Sequence, residues 1–98
     1  MKKQNLISVE RFCSYYEIPD SFIHELVEYE LIKVIQEKEK RFIDFNSVSQ
    51  IEKYIRLHFD LNVNFEGLDI ITNLITQLEE AQEEIKKLKA QINLYRLD

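Results

Sequence analysis

His24 and Glu28 stand four residues apart in a stretch with helical spacing, so their side chains share a face and can touch. With His58, they are the groups best suited to hold a metal or to move a proton. Two histidines this scattered form no ligand set, and an i, i+4 His–Glu couple is ordinarily an exposed polar pair. Cys13, the single cysteine, could serve as a nucleophile, but it lies on an apolar stripe where a thiol packs as a small hydrophobe. Carboxylates are plentiful, yet they fall on polar helix faces with nothing to force two of them together. No Gly-rich phosphate loop and no nucleophile signature is present. These residues point away from catalysis: no enzyme, no metal and no cofactor are expected.

Charge narrows the partners. The 98 residues carry a formal net charge of −5. Split at Asp60, the chain has 9 Lys and Arg against 11 Asp and Glu before the cut, and 4 against 7 after it. Neither part offers the basic field that nonspecific phosphate binding requires. One Gly and one Pro are too few turn formers for a sheet-rich domain, so a mostly helical fold is expected. A lone cysteine excludes an internal disulfide and fits a reducing compartment. No segment approaches the ~20 apolar residues of a membrane span, so a cytoplasmic placement is expected.

The elements follow from spacing. Ser8 is a good N-cap, and Val9, Phe12, Cys13 and Tyr16 behind it mark one face of a two-turn helix. Ile18-Pro19 breaks that helix, and Asp20 is placed to cap a second one. The second helix buries Phe22, Ile23, Leu26 and Val27 and turns His24, Glu25 and Glu28 outward. Together they read as a helix-turn-helix. Residues 31–35 and 41–45 read as two strands around the polar stretch 36–40, a hairpin or wing. Without Asn-Gly, a four- or five-residue connection on a type I turn is expected there. Asn46 is placed to cap a third helix with Val48, Ile51, Ile55 and Phe59 or His58 as its stripe. After a break at 60–63, Asn64 looks like a further cap. The helical pattern from Phe65 then runs to about Leu97, roughly 45–50 Å at ~1.5 Å per residue. A winged-helix head over residues 1–63 and a long amphipathic helix over 64–98 form the expected organisation.

Heptads explain the long helix. With Ile71 at position a, the a positions are Ile71, Leu78, Ile85 and Ile92, and the d positions are Leu74, Ala81, Leu88 and Tyr95. All are apolar or aromatic. Their flanks are polar, with Gln77, Glu84 and Gln91 at g and Gln82, Lys89 and Arg96 at e; Ile75 is the exception. Burying each large side chain is worth ~1.5–3 kcal/mol, so such a stripe seeks a cover. A second copy or a partner helix is expected there, with packing on the chain's own head as the alternative. Pairing direction stays open, since Glu84 at g could meet Lys89 at e of a parallel mate.

A helix-turn-helix, a wing and a dimerising helix together suit a transcription regulator. A recognition helix, however, must offer Arg, Lys, Asn or Gln to base edges and phosphates. The second helix carries Glu25, Glu28 and Glu30 and no Lys or Arg. In the wing, Glu37 and Glu39 offset Lys38, Lys40 and Arg41. The scaffold fits DNA and the surface does not.

Several local features resemble one family. They are Phe12-Cys13 in the first helix, Ile18 at the turn, Leu26-Val27-Glu28 leading to Leu31-Ile32, and Phe45 closing the wing. The most specific is the run from Arg56 through Asp60-Leu61, Val63-Asn64 and Gly67 that opens the long Leu/Ile-rich helix. From about Leu6 to Tyr95 the chain resembles the bacterial chaperone-modulator (CbpM-type) proteins, whose head is similar to the winged helix of MerR-type regulators. Two departures stand out: Glu30 where a glycine is common, and Lys33 near where a proline is often found. The resemblance implies a non-enzymatic homodimer that binds and inhibits the J-domain of a DnaJ-like (CbpA-type) co-chaperone. Glu25, Glu28 and Glu30 are the residues expected to face that partner, and a MerR-like DNA-binding regulator is the alternative.

Overall fold

The computed structural model describes residues 5–96. Its first element is a short strand, β1 (Leu6–Ser8), followed directly by α1 (Val9–Tyr16) and α2 (Asp20–Glu28). Ser8 caps α1 as its spacing predicts, accepting the Arg11 N–H at 3.0 Å. The helix ends at Glu17, whose φ of 56° returns the chain towards α2. At α2 the cap differs from expectation. Pro19 holds the cap position, and Asp20 is already helical with its carboxylate drawn to Arg41 Nη2 at 2.6 Å.

The wing is formed by β2 (Ile35–Glu37) and β3 (Lys40–Asp44), antiparallel, with Glu37 opposite Lys40. The connection is therefore a two-residue turn, shorter than the type I loop expected from the sequence. Lys38 makes it possible by adopting φ 58°, the left-handed conformation that Asn or Gly normally supplies. Residues 31–32 form a bend and 33–34 are irregular where a strand is expected, because Ile32 goes down into the core. β3 is also the centre of a three-stranded sheet, with β1 on its other edge and Ile7 opposite Ile43. The sequence shows β1 only as an apolar pair, too short to display a strand period.

Asn46 is not a helix cap. The Asp44 carboxylate accepts its N–H at 2.9 Å and opens a 3-10 turn, Phe45–Ser47, before α3 (Val48–Ile55). Ile51 and Tyr54 are the buried residues of α3, while Val48 and Ile55 are half-buried. The chain continues in a wider π-type turn, Arg56–Asp60, and then breaks at Leu61 and Asn62, the latter at φ 60°. Asn64 does cap the next helix, α4 (Phe65–Arg96), by accepting the Gly67 N–H at 2.7 Å. A Cβ on Gly67 would lie 2.8 Å from Val63 Cγ1 and 3.1 Å from Asn64 Oδ1, so the tight cap needs this glycine. The expected end near Leu97 lies outside the described residues.

One core gathers all these parts. Phe12 and Cys13 from α1, Ile23 and Leu26 from α2, Ile43 from β3 and Ile51 from α3 meet in it. Leu68 of α4 completes it and is fully buried. The first turns of the long helix thus belong to the head, while the rest projects. The result is a mainly helical winged-helix-like fold with a long C-terminal helix, in which no described helix is long and apolar enough to cross a membrane.

Candidate partner-binding surfaces

Burial of Phe22, Ile23 and Leu26 forces the other side of α2 outward, and that side is acidic. Glu28 is exposed and lies 3.8 Å from His24 Nε2, the exposed pair anticipated from the spacing. Glu30 is exposed just past the helix at φ 58°, the conformation a glycine takes at no cost. Glu25 is half-buried and sits near the Tyr29 hydroxyl. That hydroxyl donates to Glu66 on α4 at 3.0 Å. Its pKa rises because of this hydrogen bond, then burial, then the charges on Glu66 and Glu25. The structure thus keeps the three glutamates along one helix and its exit, and adds Glu66 from 36 or more positions away in the chain.

Neither Lys nor Arg lies on α2. In the wing, Arg41 is engaged by Asp20, which leaves Lys38 and Lys40 beside Glu37 and Glu39. A duplex approaching α2 would meet carboxylates first, and phosphate repulsion opposes that approach.

An aromatic cluster adjoins this face. Phe22 packs against His58, Phe59 and Phe65 with ring centroids 5.2, 5.0 and 5.7 Å away, and Phe65 stacks on Tyr29 at 5.7 Å. His58 is further fixed by the Val63 carbonyl, 2.8 Å from Nδ1. His58 is therefore a structural residue of the bend into α4, and no group of three His, Cys, Asp or Glu able to hold a metal occurs among the described residues. Sequence reading allots Phe59 or His58 to the α3 stripe. The π-type turn, which a 3.6-residue period does not reveal, instead carries both to the α2–α4 junction.

Cys13 is buried, and burial together with the nearby Asp20 charge pushes its thiol pKa up, against the opposing influence of Arg41. A protonated, covered thiol suits packing and not attack.

Along α4, Ile71 is half-buried beside the head, and the seam beyond it is bare: Leu74, Leu78, Ala81, Ile85, Leu88, Ile92 and Tyr95 are all exposed. Within the single chain the head covers none of them. Elsewhere on the head, a shallow apolar groove of about 440 Å³ runs between Phe12, Tyr15, Phe45 and Val48. At its edge the Tyr16 hydroxyl makes a short hydrogen bond to the Glu52 carboxylate.

Comparison with known families places this architecture. The model described as MerR HTH family regulatory protein matches residues 7–90, from β1 through most of α4. No curated protein matches the chain.

Proposed function

The chain belongs to the MerR helix-turn-helix family of regulatory proteins, and from that premise we propose that it acts as a non-enzymatic modulator, dimeric through α4, that binds and inhibits the J-domain of a DnaJ-like co-chaperone. One observation carries the reading: α2, which stands where a recognition helix would, presents carboxylates and no cation. Such a surface is ill suited to phosphates and well suited to a basic protein helix of the kind J-domains use to approach their Hsp70. Complementary charge of this kind raises encounter rate and selectivity more than affinity. The bare seam of α4 supports the pairing of two copies, since several half-exposed Leu and Ile side chains in heptad register gain by mutual burial.

A second reading, a DNA-binding regulator, has the family match itself in its favour. The two readings separate in one pair of measurements: capture of a purified J-domain, and gel shift with bulk DNA at low salt. The first reading expects J-domain binding that weakens at least tenfold, and loses its salt dependence, in the Glu25→Lys, Glu28→Lys double variant. Unchanged affinity and salt slope in that variant would sink the acidic-face mechanism. A DNA shift with a steep salt dependence and no J-domain capture would establish the second reading.

A further inference from the structure

The acidic face of α2 does not stand alone. Phe59, 45% exposed, and Leu61, 66% exposed, stand two residues apart where the π-type turn ends, two large apolar side chains left open to solvent. A run of rings backs Phe59, which rests on Phe22, Phe22 on Phe65, and Phe65 on Tyr29. Phe22, Glu25 and Tyr29 follow one another at i, i+3 and i+7, so Glu25 sits along the same line of α2. Glu66 closes the far end through its bond from the Tyr29 hydroxyl, and Asp69 follows one turn later, exposed. No Lys or Arg occurs on α2 or on α4 before Lys86. Arg56, three residues before Phe59, is the nearest cation in sequence.

We propose that this junction is the docking site for a basic amphipathic helix, whose apolar side chains cover Phe59 and Leu61 while its Lys or Arg residues meet Glu25 and Glu66. The proposal rests on the protein-partner reading above and names the contact. Charge complementarity selects the occupant: an apolar pair edged by carboxylates favours a cationic helix over an acidic or neutral one. Exposed aromatics backed by other rings are the type of side chain that dominates protein interfaces. The helix-in-groove mode explains why the π-type turn matters, since it is what lifts Phe59 out of the α3 stripe and onto this surface.

The test uses the full chain, isotopically labelled, and follows its backbone amide shifts. It is titrated with a synthetic helical peptide bearing Leu on one face and Lys on the others, with a scrambled peptide of equal composition, and with a purified J-domain. The expected result is a set of shifts centred on 58–61, Tyr29 and Glu66 for the amphipathic peptide and the J-domain. Leu61→Lys, at an exposed position that leaves the circular dichroism spectrum intact, should weaken both at least tenfold. Equal binding of the scrambled peptide would overturn the proposal, because charge alone would then suffice. Shifts centred on the Tyr15–Phe45 groove or on the α4 seam would overturn it too, as would shifts at Phe59 and Leu61 on simple dilution, which would assign the surface to a second copy. J-domain binding elsewhere would spare the co-chaperone reading and defeat this one. Peptide binding here with no J-domain binding would do the reverse.

Discussion

The Tyr29 hydroxyl donates to the Glu66 carboxylate at 3.0 Å, and this bond joins the end of the second helix to the first turn of the long one. Close by, the Thr72 hydroxyl donates to the Tyr54 hydroxyl at 3.5 Å. Between these polar ties Leu68 is fully buried among α1, α2 and α3 side chains. The long helix is thus rooted in the head by about two turns of its own length.

Leu68→Ala should therefore destabilise the head itself. Removing a fully buried leucine costs about 2–5 kcal/mol, by lost transfer energy and by the cavity left behind. Urea unfolding followed by tyrosine fluorescence reads this directly. A loss below 0.5 kcal/mol, the size of an ordinary surface change, would mean that α4 is not rooted as described.

Glu30→Gly should act in the opposite direction. Glu30 holds φ 58° at the exit of α2, a backbone conformation that glycine adopts freely. A non-glycine residue there costs roughly 1–2 kcal/mol of backbone strain, partly offset because glycine gains more entropy on unfolding. A net gain of about 0.5–1 kcal/mol is expected in thermal or urea unfolding. A variant less stable than the parent would show that the Glu30 side chain itself contributes to the fold.

Tyr16 supplies a pH dependence. Its hydrogen bond to Glu52, reinforced by burial and by the Glu52 charge, pushes the phenol up to about 12 from an ordinary value of 10. The folded state holds this proton more tightly than the unfolded state. The contribution is therefore fully present below pH 10 and is lost as pH rises towards 12. Tyr16→Phe should cost about 1 kcal/mol at neutral pH, a modest figure because the pair is half-exposed. It should also flatten the fall in stability across that alkaline window. An identical alkaline decline in parent and variant would remove Tyr16 from the account.

Leu78→Lys with Ile85→Lys should leave the head folded and abolish self-association. Both residues are more than half exposed in the single chain, so the substitutions disturb no internal packing. Sedimentation at tens of micromolar should find a dimer for the parent and a monomer for the variant. Far-UV ellipticity should drop as the unpartnered end of α4 frays. A monomeric parent would defeat self-association through the seam.

Long-period signals are what the sequence carries well. The stripe of α1, the long helix α4 and the caps at Ser8 and Asn64 are all legible, because each repeats a pattern over several residues or pairs a capping side chain with a helix start. Short or non-local features are not. β1 is three residues long and exists by virtue of pairing with residues 42–44. The two-residue turn depends on Lys38 accepting a conformation for which its type gives no hint. The aromatic junction was hidden for both reasons. Its rings come from α2, the π-type turn and α4, and the turn's wider winding shifts Phe59 off the expected face. Glu66 belongs to that junction and reads in sequence as an unremarkable acid in the first turn of a helix.

The central place of β3 in the sheet sets an order of events during synthesis. β2 lies two residues from its partner and can close a hairpin within about 1–10 μs of emerging. β1 is made first, yet its partner residues 42–44 follow more than thirty positions later. At roughly 5–20 residues per second, that strand waits on the order of seconds on the ribosome before it can pair. Its length of three residues makes the wait safe, because so short an unpaired edge is a poor template for association with a neighbouring nascent chain.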